Sequence, residues 1–180
     1  MKPNRKNVRR RAPRARRRGE PSADPYREQS PPRGPAQCSQ CGARYRNKRW
    51  TLPPPAAPRP KRARLAPLSV LCPACRKTHD HYANGIVTIQ WPGNDVERHT
   101  ILNLIHNQEA WGRQVNPLER IISIEATDRR LTVLTTNERL AQRIGRALER
   151  AFHGKATYDW SRGNKLLRVA WSRESSTAAR

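Results

Sequence analysis

Cys38-Ser-Gln-Cys41-Gly42 and Cys72-Pro-Ala-Cys75 each set two thiols three positions apart, and 30 residues separate the pairs. Two thiolates at that spacing come from one tight turn, and two such turns brought together offer four sulfurs to one ion. Zn2+ takes four such ligands in a tetrahedron, with sulfur at about 2.3 Å. Gly42 suits the first turn, because glycine accepts a positive φ at no steric cost. The chain has four cysteines in all, and in a reducing compartment four paired cysteines hold metal rather than form disulfides. Four thiolates leave no coordination position for water, so the expected Zn2+ is structural and supplies folding free energy. Iron held by four thiolates is the alternative. A thioredoxin-like role needs one pair at a strand-to-helix junction of a β-α-β unit, whereas both pairs here border proline-rich or basic segments.

His79 and His81 follow the second pair, but four thiolates already complete the shell, so both read as surface or packing residues. Catalytic signatures are missing. Gly154-Lys155 is followed by Ala156 and has no upstream glycine at phosphate-loop spacing, and neither GxSxG nor HExxH occurs. Asp80, Asp95, Glu109 and Glu119 read as solvated or capping carboxylates. The expectation is a protein that is not an enzyme and takes no small-molecule substrate.

Charge points to the partner. The formal net charge is +23, and residues 1–77 hold 22 Lys/Arg against 3 Asp/Glu, while residues 78–180 hold 15 against 11. A field of that size and sign attracts polyanions by counterion release, which makes RNA or the ribosome the expected partner; the alternatives are a DNA-binding transcriptional regulator and a protein-interaction adaptor anchored to the ribosome by the basic arm. Arg44, Arg46, Lys48 and Arg49 leave the first cysteine pair interleaved with Tyr45 and Trp50. Lys61, Arg62 and Arg64 follow on a loop, and Arg76 and Lys77 come after the second pair. No acidic residue occurs from 29 to 79, whereas a merely solubilising surface mixes both signs. The cations are expected to grip phosphates. Tyr45 and Trp50 either stack on an unpaired base or pack the small metal module. No run of 18 apolar residues exists and the start lacks a secretory core, so the expectation is a cytoplasmic protein without membrane insertion.

These residues need elements to carry them. Residues 1–35 hold almost no large apolar side chain beyond Val8 and Tyr26, too little to offset the ordering cost of the backbone, so a disordered Arg-rich arm is expected. Residues 36–83 form the cysteine module, interrupted by a Pro/Arg-rich loop at 53–67. From about residue 84 apolar residues recur with period. Ile86, Val87, Ile89 and Trp91 read as a strand; Ile101, Leu104, Ile105 and Trp111 as a helix ended by Asn116-Pro117. Ile121 to Ile124 and Leu131 to Thr135 make a hairpin. Asn137 caps a helix whose Leu140, Ile144, Leu148 and Ala151 lie on one side. Tyr158 with Trp160, and Leu167, Val169 with Trp171, supply two last strands. The expected fold is α+β: a four-cysteine zinc ribbon, then a β-α-β-β-α-β-β sandwich over 84–172 with helices on one face of an antiparallel sheet. Residues 173–180 read as a flexible tail.

The order CxxCG, a basic strand ending in Trp50, CPxC, an apolar strand and an α+β segment with Ala141, Ile144, Gly145, Ala147, Leu148 and Phe152 on one helix resembles the N-terminal region of the Nmd-three family. Those proteins are adaptors for nuclear export of the large ribosomal subunit, and small prokaryotic proteins carry the same region alone. The resemblance covers roughly residues 36–172 and implies a ribosome or ribosomal-RNA partner. The family's longer members add a second set of cysteines and domains with export signals, and this sequence carries neither. Only Cys38, Cys41, Cys72 and Cys75 correspond by position.

Overall fold

A computed structural model describes residue 26 and residues 31–53, 67–91, 95–127, 129–161 and 165–173. Most of the expected arm, loop positions 54–66 and tail positions 174–180 lie outside the described residues. Tyr26 is described: its hydroxyl donates to Asp80 Oδ2 at 2.5 Å and its ring packs on Tyr82 with centroids 4.8 Å apart.

The cysteine-bearing part is a four-stranded sheet and a short helix. Strands β1 (Ala36–Cys38), β2 (Arg44–Arg46), β3 (Arg49–Thr51) and β4 (Leu68–Val70) lie in the order β3-β2-β1-β4, with β4 parallel to β1. A two-residue turn, Asn47-Lys48, joins β2 to β3 with both residues at positive φ, 49° and 61°. Such a turn matches the twist of a hairpin, but it favours Asn and Gly, and a lysine there is strained. Helix α1 (Pro73–His79) starts at the second cysteine pair, where the sequence predicts only a tight turn. Pro73 at the first helical position and the cations Arg76 and Lys77 near the C-terminus fit a helix, but one of seven residues is too short to show periodicity.

The second part has β5 (Gly85–Gln90), α2 (Asp95–Val115), β6 (Ile121–Thr127), β7 (Arg130–Thr135), α3 (Glu138–Phe152), β8 (Lys155–Trp160) and β9 (Leu167–Ser172). Its element order is the expected one. The sheet, of order β6-β7-β5-β9-β8, is mixed rather than antiparallel, because β9 runs parallel to β5. The β8–β9 hairpin is the cause: β8 takes the edge and β9 returns inside it, beside β5. Val87, Ile89, Leu131, Val133, Val169 and Trp171 face the helices and pack with Ile101, Ile105, Leu140, Ile144 and Leu148. Gly145 lets α3 sit low on the sheet, since a Cβ there would lie 2.7 Å from Val169 Cγ1. Asn137 caps α3 by accepting from the Leu140 N–H at 3.0 Å, and His153 closes it in the left-handed region. Among the described residues no helix is long and apolar enough to cross a membrane.

Candidate metal centre and cationic hairpin

The tight turn after β1 places Cys38 and Cys41. It is closed by Cys38 N–H to Ala43 O at 2.8 Å and Gly42 N–H to Cys38 O at 3.0 Å, with Gly42 at φ 72°. On the other side Cys72 is the N-cap of α1, and its sulfur accepts the Cys75 N–H at 3.4 Å. Cys38 Sγ accepts the Cys72 N–H at 3.3 Å, which ties the two turns together. All four sulfurs lie within 4.8 Å of one another, and Cys38–Cys75 and Cys41–Cys72 are both 3.7 Å apart. A tetrahedron with metal–sulfur bonds of about 2.3 Å separates its sulfurs by about 3.8 Å. None of the four is in a disulfide, so the cluster has the spacing and donor set for a structural metal ion. Among the described residues this is the one group of His, Cys, Asp or Glu side chains arranged for a metal. His79 pairs instead with exposed Asp80 at 2.8 Å.

Crowding perturbs the thiols unequally. Burial pushes Cys38 up, but the backbone amides of Cys72, Cys41 and Gln40 outweigh it and bring the group down to about 6. Burial raises Cys72 to about 11 despite the Cys75 N–H, and the neighbouring sulfurs of Cys41 and Cys38 add to the rise. Cys75 is pushed up further, by burial and then by Cys72. Four thiolates at this distance repel one another, so a cation among them is what lets all four ionise.

The second part of the chain reaches this cluster. Arg120, in the loop between α2 and β6, donates from Nη1 to Cys75 Sγ at 3.5 Å and from Nε to Pro117 O at 3.1 Å. Burial alone would lower the arginine's pKa, but the sulfurs of Cys41 and Cys75 reverse that and raise it. Leu118 packs on the same cluster. Nothing in the spacing of the sequence singles out Arg120, because its contact spans 45 residues.

Arg44, Arg46, Lys48 and Arg49 are exposed, while Tyr45 and Trp50 are turned inward. The two rings pack on each other at 5.3 Å and belong to the cysteine-lined core. Packing is therefore the role they fill, and neither presents a free face for a base. Arg76 is exposed. Lys77 departs from the expected phosphate-binding set. It is buried, its ammonium donates to Asn84 Oδ1 and to Thr136 O, and it lies near the Tyr82 and Tyr26 rings. It thus joins α1 to the entry of β5 and the exit of β7. Lys61, Arg62 and Arg64 lie outside the described residues. No family model, curated protein or solved structure matches the chain.

Proposed function

We propose that the chain is an RNA-binding protein in which a four-cysteine zinc ribbon holds a cationic hairpin, with ribosomal or other structured RNA as partner. Zn2+ fits the four thiolates because it is satisfied by a closed tetrahedral sulfur shell. Bound there, it would offset half the charge of the four thiolates and hold the first turn against α1, a structural role.

The observation that carries the reading is the pairing of Arg46 with Arg49. They are direct cross-strand partners on β2 and β3, with Arg44 on the same face and Lys48 in the strained turn between them. Like charges placed directly opposite destabilise a hairpin. None of the ion pairs among the described residues includes these four cations. A solvated surface gains nothing from such an arrangement, whereas a run of phosphates neutralises it. The resemblance of the motif order over roughly residues 36–172, from CxxCG and the basic strand through CPxC to the α+β segment, to ribosome-associated adaptors favours RNA over DNA.

The test is binding of the full, zinc-loaded chain to structured RNA and to duplex DNA across a salt series. Affinity for RNA should fall steeply with salt, and R44S/R46S/K48S/R49S should flatten the slope of log K against log[salt] by roughly 3, about 0.7–0.9 per lost contact. Preference for the DNA duplex would replace the partner. Salt-independent binding, or none, would overturn the reading.

A further inference from the structure

Helix α3 carries Arg139, Arg143, Arg146 and Arg150, at i, i+4, i+7 and i+11. At about 100° and 1.5 Å per residue they fall in an arc of about 60° and run along about 16 Å of helix. Arg139, Arg146 and Arg150 are not buried, and no ion pair of the described residues includes them. The carboxylate of Glu149 on the same helix is turned to the sheet side, where it accepts the Ala156 N–H and the Tyr158 hydroxyl, both at 3.0 Å.

Arg143 is built differently. Its Nη1 lies 2.8 Å from buried Glu119, and its guanidinium sits 4.9 Å from the centre of the Trp111 ring on α2. Trp111 is nonetheless 59% exposed. A large aromatic ring held at the surface by an anchored arginine, beside a stripe of three further arginines, combines the two parts of a single-strand site. These are cations for the backbone and a π-face for a base. Asn137, which caps α3, lines a cleft of about 280 Å3 together with Trp50 of β3, so the stripe starts beside the cysteine-bearing sheet.

We infer that the α2–α3 face is a second RNA-contact surface, in which Trp111 stacks on an unpaired base and Arg139, Arg146 and Arg150 hold the flanking phosphates. Arg143 is a positioning residue that sets the ring. The inference rests on the RNA-binding reading above and assigns the unpaired segment of the RNA to this face. A base inside a duplex has no free face for Trp111, so a single strand is the ligand that uses the whole site.

The experiment titrates the full, zinc-loaded chain with a single-stranded oligouridylate and with a fully paired RNA duplex, reading tryptophan emission and affinity. The single strand should quench emission, and W111L should lose most of that quench and about ten-fold in affinity for it, with little change for the duplex. R139S/R146S/R150S should keep the parent's melting temperature and reduce the salt slope for the single strand by about 2. If W111L and the triple serine variant bind the single strand as the parent does, while the hairpin variant loses binding, this surface has no such role and the RNA-binding reading stands. No binding of either RNA by the parent would overturn both.

Discussion

Arg120 Nη1 donates to Cys75 Sγ at 3.5 Å, so the loop ending α2 supplies a positive charge to the sulfur cluster at the start of α1. Four thiolates around a dication retain a net negative charge, and the half-buried Arg120 guanidinium beside them offsets part of it. R120M should therefore lose roughly 10- to 100-fold in metal affinity, the usual cost of removing an outer partner of a ligand. Competition against a chromophoric chelator measures it. R120K should recover only part, because an ammonium cannot reach Cys75 and Pro117 O together as the guanidinium fork does. Unchanged affinity in R120M would contradict this role.

Metal removal should unfold one part of the chain and spare the other. Cys72 caps α1 and Cys38 accepts the Cys72 N–H, so the turn, the short helix and the small sheet depend on the cluster. The core around Val87, Ile144 and Trp171 contains no cysteine. Hydrogen exchange after chelation should show loss of protection at Tyr45 and Trp50 with protection kept in β5 and α3. Loss of protection throughout would mean that the two parts fold only together.

Arg143 and Glu119 make an ion pair in which the carboxylate side chain is 3% exposed and the guanidinium 22%. R143M leaves that carboxylate buried without its partner and should cost about 3 kcal/mol in urea unfolding. The double variant E119M/R143M should recover much of it, because neither charge is then desolvated. A loss as large in the double variant as in the single one would place the stabilisation in packing on Trp111 instead.

Tyr158 gives the alkaline limit. Burial, then the hydrogen bond to Glu149, raises its hydroxyl to about 12. A folded pKa above the unfolded value of about 10 means that the contribution is intact below pH 10 and is lost as pH rises toward 12. The melting temperature should fall in that window, and Y158F should remove the part of the fall that this hydroxyl causes. A profile unchanged by Y158F would show that other groups set it.

Long, periodic elements are legible in the sequence. The i, i+4, i+8 apolar row of α3 and the alternation of Leu167, Val169 and Trp171 give the element order of the second part, and two Cys-x-x-Cys pairs give the sulfur cluster. What the sequence hides depends on contacts between distant residues. The parallel pairing of β9 with β5 is decided by which strand of a hairpin takes the edge, and the Arg120–Cys75 contact by how two sheets meet. Lys77 follows a cysteine pair as Arg76 does, yet one is buried and the other exposed, because successive residues of α1 face different sides. The arginine row of α3 is visible as spacing, but spacing alone does not place it beside Trp111 of another helix.

The hairpin separates stability from function most sharply. Arg46 and Arg49 face each other across β2 and β3, so R49E turns a repulsive pair into an attractive one. Opposite-charge pairs at such positions stabilise by roughly 0.2–1 kcal/mol, and the thermal midpoint of the zinc-loaded protein should rise slightly. If the hairpin binds RNA as proposed, the same change removes one phosphate contact and adds a charge that repels the next, so RNA affinity should fall well beyond the loss in a neutral R49S variant and recover least at low salt. A variant that is both more stable and poorer at binding identifies the like-charge pair as retained for its ligand. If R49E is more stable and binds RNA unchanged, the four cations are a solvated surface and the phosphate contacts lie elsewhere.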